Sequence, residues 1–331
     1  MRLYLVRKLI TYSLTAIAAV TVDWIIPHAM PGDPIKTLLA RFAIRSEGTY
    51  QSLYHTFARS FRTDLPLWKQ YYYFWVSLFH GDLGLSIDQF PTTVTTIIGR
   101  AAPYTLGLLV PAIVLSFYVG NKLGAFAARR KTLDNTVLPI SYLITATPYM
   151  WAAMLIAWLL AYKWSLFPGL YGYDVTLKQS WSWRFIISLL DHWFLPFFTL
   201  FLIGLGGWAI GMRNMIIFEL ESDYSHYLEA LGAPQRLIRK YAFRNALLPQ
   251  ITGLALALGA VIGGALVTEI VFNYPGLGSV IFRAIQNKDY FLIQGVFLFI
   301  ILGILVANFC VDIVYMIIDP RTRIGMQGGQ A

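Results

Sequence analysis

The sequence predicts an all-α integral membrane protein: a six-span bundle of transmembrane helices with a helical extracytoplasmic loop region. Three observations carry this: the composition, six long apolar stretches, and the placement of lysine and arginine. Of 331 residues, 57% are hydrophobic and only 13% charged, and the mean hydropathy is +0.58. Soluble domains carry about 25% charged residues, so too few polar side chains remain here to cover a soluble core. Disorder is excluded, because it needs low hydrophobicity. The net charge of +9 comes with too low a charge density for a nucleic-acid binder. A lone cysteine, Cys310, lies in an apolar run and rules out a disulfide framework or a cysteine-based metal site.

Six stretches are long enough to cross about 30 Å of hydrocarbon at about 1.5 Å per residue. They are 9–26, 101–120, 137–162, 194–212, 247–268 and 291–318. The first follows Arg2, Arg7 and Lys8 but is too long for a signal-peptide core, so it reads as an uncleaved span. It carries Asp23, and the sixth carries Asp312; the four between contain no charge. Prolines 111, 139, 148 and 196 lie inside spans and predict kinks. Small-residue spacings at Gly120/Gly124, Gly207/Gly211 and Gly259/Gly263 permit close helix packing.

Basic residues set the orientation. With the N-terminus inside, the inner segments 1–8, 122–136, 213–249 and 319–331 hold 14 of the 26 lysines and arginines, at about twice the outer density. Both termini are therefore expected to be cytoplasmic. The chain divides into 1–28 (cytoplasmic N-terminus and first span), an outer loop region 29–100, a five-span core 101–318 and a cytoplasmic tail 319–331. The outer loop is aromatic, with Trp68, Tyr71, Tyr72, Tyr73 and Trp75. The inner segment 213–249 reads as two helices broken at Gly232-Ala233-Pro234. Acidic residues Glu219, Glu221, Asp223 and Glu229 precede the break, and basic Arg236, Arg239, Lys240 and Arg244 follow it. Such a charged helix–turn–helix between spans invites a protein partner.

No phosphate-binding loop, zinc-protease motif, nucleophile elbow or Cys/His cluster occurs, so no catalytic or metal-ligating residue is nominated. The five histidines are scattered over loops and span ends and read as structural or interfacial.

Segment 213–249 resembles the cytoplasmic coupling loop of ABC-importer permeases. It runs Asp223-Tyr224, then Ala230-Leu231-Gly232, and closes on Arg244-Asn245-Ala246-Leu247-Leu248-Pro249. The Glu-Ala-Ala that names this loop is absent; His226, Tyr227 and Leu228 occupy the matching positions, which leaves the exact register of the coupling helix open. Further segments narrow the resemblance to the B-type membrane subunit of dipeptide/oligopeptide (peptide/nickel) importers. These are Pro31-Gly32-Asp33-Pro34, Leu65-Pro66-Leu67, Gln70-Tyr71, Trp75, Gly81-Asp82-Leu83-Gly84-x-Ser86 and Arg100-x-x-Pro103-x-Thr105-Leu106. The series ends with Glu269-x-x-Phe272-x-Tyr274-Pro275-Gly276-Leu277-Gly278, Asp289-Tyr290, Gln294-Gly295, Asn308, Asp312, Tyr315 and Asp319-Pro320-Arg321. The resemblance spans the chain from the first span to about Ile324.

The resemblance implies a type I ABC importer permease. A second, homologous permease subunit would complete the path, and two ATPase subunits would bind ATP and magnesium, this chain holding no cofactor. An extracytoplasmic solute-binding protein would deliver substrate, with lipid around the spans of a prokaryotic cell (inner) membrane. Asp223, Tyr224, Glu229, Ala230, Leu231, Gly232, Arg244, Asn245 and Pro249 would form the ATPase-coupling loop. In it Gly232 permits a tight turn, and Pro249 is expected at the start of the fifth span. Glu269, Pro275, Gly276 and Gly278 form either part of a periplasmic gate or of the surface that meets the binding protein, with a rigid Pro-Gly turn that Glu269 could hydrogen-bond, or a plain turn anchoring a re-entrant segment. Asn308 and Asp312 share a helix face and are implied to be a structural or gating pair. Asp23 is either an acid snorkelled to the interface or a contributor to the cavity. Di- or oligopeptides are the expected cargo, with oligosaccharides or nickel chelates as alternatives; a secondary transporter or channel is the reading from another class.

Overall fold

The computed structural model describes residues 2–42 and 46–318. The 319–331 tail, with Asp319-Pro320-Arg321, lies outside the described residues, and Gly259, Gly263 and Tyr315 fall outside the described side chains. Among the described residues twelve α-helices follow one another without a strand; an isolated antiparallel bridge joins Leu85 to Thr93. The first is α1 (Arg2–Ala29). The long loop after it folds into α2 (Pro34–Leu39), α3 (Glu47–Ser60) and α4 (Leu67–Phe79). Then come α5 (Val94–Ala127), α6 (Lys131–Ala146) and α7 (Tyr149–Ile156), which runs on as π-helix through Lys163. The rest are α8 (Trp183–Leu220), α9 (Asp223–Ala230), α10 (Gln235–Val271), α11 (Leu277–Gln286) and α12 (Tyr290–Ile318).

Four helices, with described spans Lys8–Ala29, Val94–Ala127, Trp183–Leu220 and Tyr290–Ile313, are each long and apolar enough to cross a membrane. The third predicted span, 137–162, is not one rod. α6 and α7 meet at 104° across Thr147-Pro148. Pro148 has no N–H to continue the helix and drives the residue before it out of the α region; Thr147 is extended, at ψ 123°. The helices run through Pro111, Pro139 and Pro196. The predicted fifth span, 247–268, is the distal part of α10. Among the described residues this gives four single-helix spans, or five if the bent pair is one, with the distal part of α10 over the remaining predicted stretch.

Two compact units make up the chain, one from residues up to Pro103 with Gly276–Leu305, the other from Tyr104–Pro275 with residues from Val306 onward. In the first, Val94, Ile97, Ile98, Ala101 and Ala102 of α5 pack with Leu277, Val280 and Ile281 of α11 and Leu292, Ile293 and Val296 of α12. Ile35, Leu39 and Ala58 form a smaller core under α2 and α3. In the second, α8 lies against α6, α7 and α10, and Leu108, Ala153, Leu195, Leu200, Ala265 and Tyr274 are buried together.

Glycines set the closest approaches in the second unit. A Cβ on Gly120 would stand 2.6 Å from Trp208 Cβ, and one on Gly124 would overlap the Ala209 carbonyl. On α8 the close positions are Gly204, against Ser116, and Gly206, against Thr145. A Cβ on Gly211 would lie 3.0 Å from the Gln250 amide, whereas Gly207 of the predicted pair faces open space.

Candidate functional site

The inner segment folds as α8, a short α9, a tight turn and α10. Ser222 leads into α9, and its hydroxyl donates back to the Glu219 carbonyl at 2.5 Å. The buried Ser225 hydroxyl donates to the same carbonyl at 2.7 Å, and Tyr224 Oη donates to Glu219 Oε2 at 2.8 Å. Carbonyls of the last helical turn lack an intrahelical donor, so these contacts complete the end of α8 and clamp α9 onto it. Burial, and next the Glu219 carboxylate, push the Tyr224 phenol up, while hydrogen bonds from Ser225 and Asn245 pull it down.

At the other end of α9, Leu231 is the C-cap and Gly232 takes the left-handed conformation, φ +75°. Gly232 N–H donates to the Glu229 carbonyl at 2.9 Å and Ala233 N–H to the Leu228 carbonyl at 3.0 Å. That pair of bonds is the Schellman motif, and Pro234 then caps α10. Gln235 Nε2 donates to Glu229 Oε1 at 3.0 Å across the turn. Asp223, Glu229 and Ala230 are exposed, as are Tyr227 at 66% and Leu231 at 65%. Beneath lie Met212 and Ile216 of α8, Ala246 of α10 and Ala125 of α5. Asp134 of α6 ties in bidentately: Arg213 Nε donates to its Oδ1 at 2.7 Å and Nη2 to its Oδ2.

The structure brings Tyr224 and Asn245 together but not all the predicted residues. Arg244 and Pro249 are the tenth and fifteenth residues of α10, both exposed. Pro249 does not begin a helix, correcting the expectation: the basic arm and the fifth span are one continuous helix through it. One proline removes a single hydrogen bond, and flanking turns keep the rod intact.

The far end of α10 closes with a second motif of the same kind. Asn273 is left-handed, φ 46°; its N–H donates to the Ile270 carbonyl at 3.2 Å and Tyr274 N–H to the Glu269 carbonyl at 2.8 Å. The fully buried Glu269 side chain accepts from Thr105 Oγ1 at 2.6 Å. Burial and Glu269 push the Tyr274 phenol up. Tyr171 N–H donates to the Phe272 carbonyl at 2.9 Å, and a Cβ on Gly172 would press on Pro275 at 2.7 Å. The expected Pro-Gly-Leu-Gly turn is shorter than predicted. Gly276 is the N-cap of α11 at φ −94°, and Gly278 is a buried residue inside that helix. The left-handed residue here is Asn273, whose short polar side chain tolerates it.

In the first unit the scattered motif segments converge. Asp33 caps α2, its Oδ1 accepting from Ile35 N–H at 2.9 Å and its Oδ2 from Tyr54 Oη at 2.8 Å. Gly32 lets Tyr290 approach: a Cβ there would stand 2.7 Å from Tyr290 Oη. The fully buried Asp289 gathers Ser86 Oγ at 2.5 Å and Asp88 N–H at 2.8 Å on Oδ2, and Leu292 N–H at 3.1 Å on Oδ1. Sequence reasoning quoted both Ser86 and Asp289 but assigned neither a role.

Among the intramembrane polar residues, Asp23 is only 2% exposed. Its two oxygens have no hydrogen-bond partner among the described residues. It lies in an apolar groove with Ala18, Ala19, Val22, Phe297 and Ile301. Asn308 Oδ1 is likewise buried without a partner, and Asp312 is half-buried one turn on. Among the described residues no cluster of His, Cys, Asp or Glu could hold a metal.

Residues 120–324 match the family described as binding-protein-dependent transport system inner membrane component. The chain is 31% identical to the probable D,D-dipeptide transport system permease protein DdpB of Escherichia coli (strain K12), over 93% of each chain. It is 28% identical to the dipeptide transport system permease protein DppB of the same strain, over 97% of this chain and 98% of the relative. It is also 28% identical to the oligopeptide transport system permease protein AppB of Bacillus subtilis (strain 168), over 97% of this chain and 99% of the relative.

Proposed function

This chain belongs to the family of binding-protein-dependent transport system inner membrane components, and from that premise we propose that it imports di- or oligopeptides as one of two permease subunits driven by separate ATPases. Peptides are favoured over oligosaccharides and nickel chelates because the relatives are named as dipeptide, D,D-dipeptide and oligopeptide permeases. Both termini face the cytoplasm, following the basic residues, and the helical 29–100 region faces the binding protein.

One observation supports the mechanism: α9 is a short helix clamped at both ends, with Tyr227 and Leu231 left exposed by the described residues. An exposed aromatic–aliphatic pair on a rigid, charged helix is an anchor for a partner groove. The acidic residues of α9 and the basic arm, Arg236, Arg239, Lys240 and Arg244, give that contact its register. The partner ATPases bind ATP and magnesium and supply the energy. This chain converts their closure into movement.

The route runs along α10. From the turn at Gly232 to Val271 it is one helix of 37 residues, about 55 Å at about 1.5 Å per residue. A displacement of α9 reaches α8 through Glu219 and α10 through Asn245, and the rod delivers it to the Glu269–Thr105 bond and the turn at Pro275. Those residues gate the substrate path. ATP-dependent closure thereby shifts the population between inward-open and outward-open bundles, to the extent that the ATPases bind one of them better.

The test is uptake. The chain, purified with its companion subunits and reconstituted in vesicles, should accumulate labelled dipeptide only with ATP and a loaded binding protein. Accumulation of oligosaccharide instead would reassign the cargo. Uptake by the chain alone, without an ATPase, would show a secondary transporter or channel.

A further inference from the structure

Within the outer loop region, α3 and α4 present opposite kinds of surface. The exposed residues of α3, Glu47, Gln51, Ser52, Thr56 and Arg59 among them, are polar or glycine. α4 instead exposes Trp68 at 68%, Tyr72 at 62% and Phe79 at 82%. With half-buried Trp75 these stand at i, i+4, i+7 and i+11, a single aromatic stripe along the helix. The rings of Trp75 and Phe79 lie 6.0 Å apart, and Lys69 Nζ stands 5.3 Å from the Trp68 ring centroid. The opposite side of α4, with Gln70, Phe74 and Ser77, lines a cavity inside the first unit. The stripe is thus the side of α4 turned away from its own unit, and rings of this size left in water forfeit the gain from burying them.

What covers the stripe follows from where α4 is held. α1 is long and apolar enough to cross the membrane as Lys8–Ala29. Near its outer end His28 Nε2 lies 3.3 Å from Gln70 Oε1 of α4. Two turns deeper, Thr21 Oγ1 and Tyr71 Oη share a hydrogen bond of 2.7 Å, and the Tyr71 ring meets Trp24 edge-on at 5.2 Å. Thr21 is eight residues before Ala29, the last of α1, or about 12 Å along the helix at about 1.5 Å per residue. The interfacial layer on each side of a bilayer is about 5–8 Å thick, so a helix fixed to a span at this depth lies where headgroups give way to acyl chains. On the same face of α1, one and two turns below Thr21, Ile17 is 51% and Leu14 62% exposed. α4 therefore adjoins an apolar surface exposed at hydrocarbon depth.

We propose that the aromatic stripe of α4 docks into the outer leaflet of the membrane, making α4 an interfacial helix that anchors the loop region to the lipid. Trp and Tyr suit that level because an apolar ring body and a polar tip are both satisfied there. Lys69, beside Trp68, meets the lipid phosphates. α3, with its polar surface, is left to the aqueous side. The proposal goes beyond the peptide reading and needs only α1 in the membrane.

The test places a nitroxide label at Trp68→Cys, Tyr72→Cys and Phe79→Cys in turn, with Ser52→Cys of α3 as the aqueous reference. Each is made in a Cys310→Ser background of the complete permease–ATPase complex in nanodiscs. Collision with oxygen, which partitions into lipid, is compared with collision with a water-soluble chromium oxalate complex. The three α4 labels should favour oxygen and report depths of about 5–10 Å below the lipid phosphates, whereas the Ser52 label should favour chromium oxalate. Wild type, irradiated with a phospholipid carrying a diazirine near its headgroup, should yield a lipid adduct on the 67–79 peptide, a readout that needs no substitution. α4 labels as open to chromium oxalate as Ser52, or no adduct on that peptide, would overturn the proposal. So would labels shielded from both reagents, which marks a companion subunit, or shielding that appears only when the binding protein is added, which marks its docking surface. Uptake by the same complex, measured in parallel, reports on the cargo reading independently.

Discussion

Substitution at Gly232 separates what the turn needs from what a partner needs. Its φ of +75° is left-handed, which costs a residue with a Cβ about 1–2 kcal/mol. The direction a Cβ would take is empty, with nothing within 4 Å. Within this chain, Gly232→Ala and Gly232→Trp therefore carry the same penalty, about 1–2 kcal/mol against the two bonds of the motif. Gly232→Asn should carry less, because asparagine visits this region more readily. All three should fold, assemble with α9 in place and melt within a few degrees of one another. A docked partner adds a steric term only for the indole. Gly232→Trp should thus lose most of its binding-protein-stimulated uptake per ATP hydrolysed in vesicles, while Gly232→Ala keeps most of it. Equal ratios for the two variants would refute the reasoning, because no surface would then lie against the turn.

Other substitutions test the frame. Gly124→Ala forces a methyl into the Ala209 carbonyl of α8 and should lower the melting temperature of the purified complex by the equivalent of about 1–3 kcal/mol. Gly207→Ala, in open space, should be neutral or gain up to about 1 kcal/mol from helix propensity. Asp289→Ala removes the acceptor of Ser86 Oγ, Asp88 N–H and Leu292 N–H. It should cost about 4 kcal/mol, since bonds to a charged group contribute about 1.5–3 kcal/mol each and do not sum fully; limited proteolysis should then cut the 80–93 loop faster. Thr105→Val withdraws the donor at 2.6 Å from buried Glu269 and should destabilise by about 1–3 kcal/mol, whereas Thr105→Ser should melt close to wild type.

Much of the frame is legible in the sequence because its physics is local. About twenty apolar residues declare a span whatever surrounds them, and α1, α5, α8 and α12 lie where the apolar runs do. The α9 turn is equally local: a glycine able to adopt positive φ followed by a proline marks a helix end. The prolines divide for a reason outside the local sequence. Pro148 breaks the chain by 104°, while α6, α8 and α10 continue through Pro139, Pro196 and Pro249. Whether one lost hydrogen bond bends a helix depends on what packs against it.

The same limit applies to the buried carboxylates. Asp289 meets Ser86 across 203 residues, and Glu269 meets Thr105 across 164; no periodicity links such pairs. Asp23 shows the converse. Its place near the end of an apolar run allowed either an interfacial acid or a cavity group, and only the fold shows the side chain buried beside Ala18 and Ala19.

The central claim is that α9 seats in an ATPase subunit, and photo-cross-linking tests it directly. A benzophenone side chain in place of Tyr227, 66% exposed on α9, is compared with one in place of Trp181, 96% exposed on the loop before α8. The complex is irradiated in native membranes with and without ATP. The account predicts an adduct with the ATP-hydrolysing subunit from position 227, changed in yield by ATP, and none from position 181. No adduct at 227, or equal adducts at both positions, would contradict it.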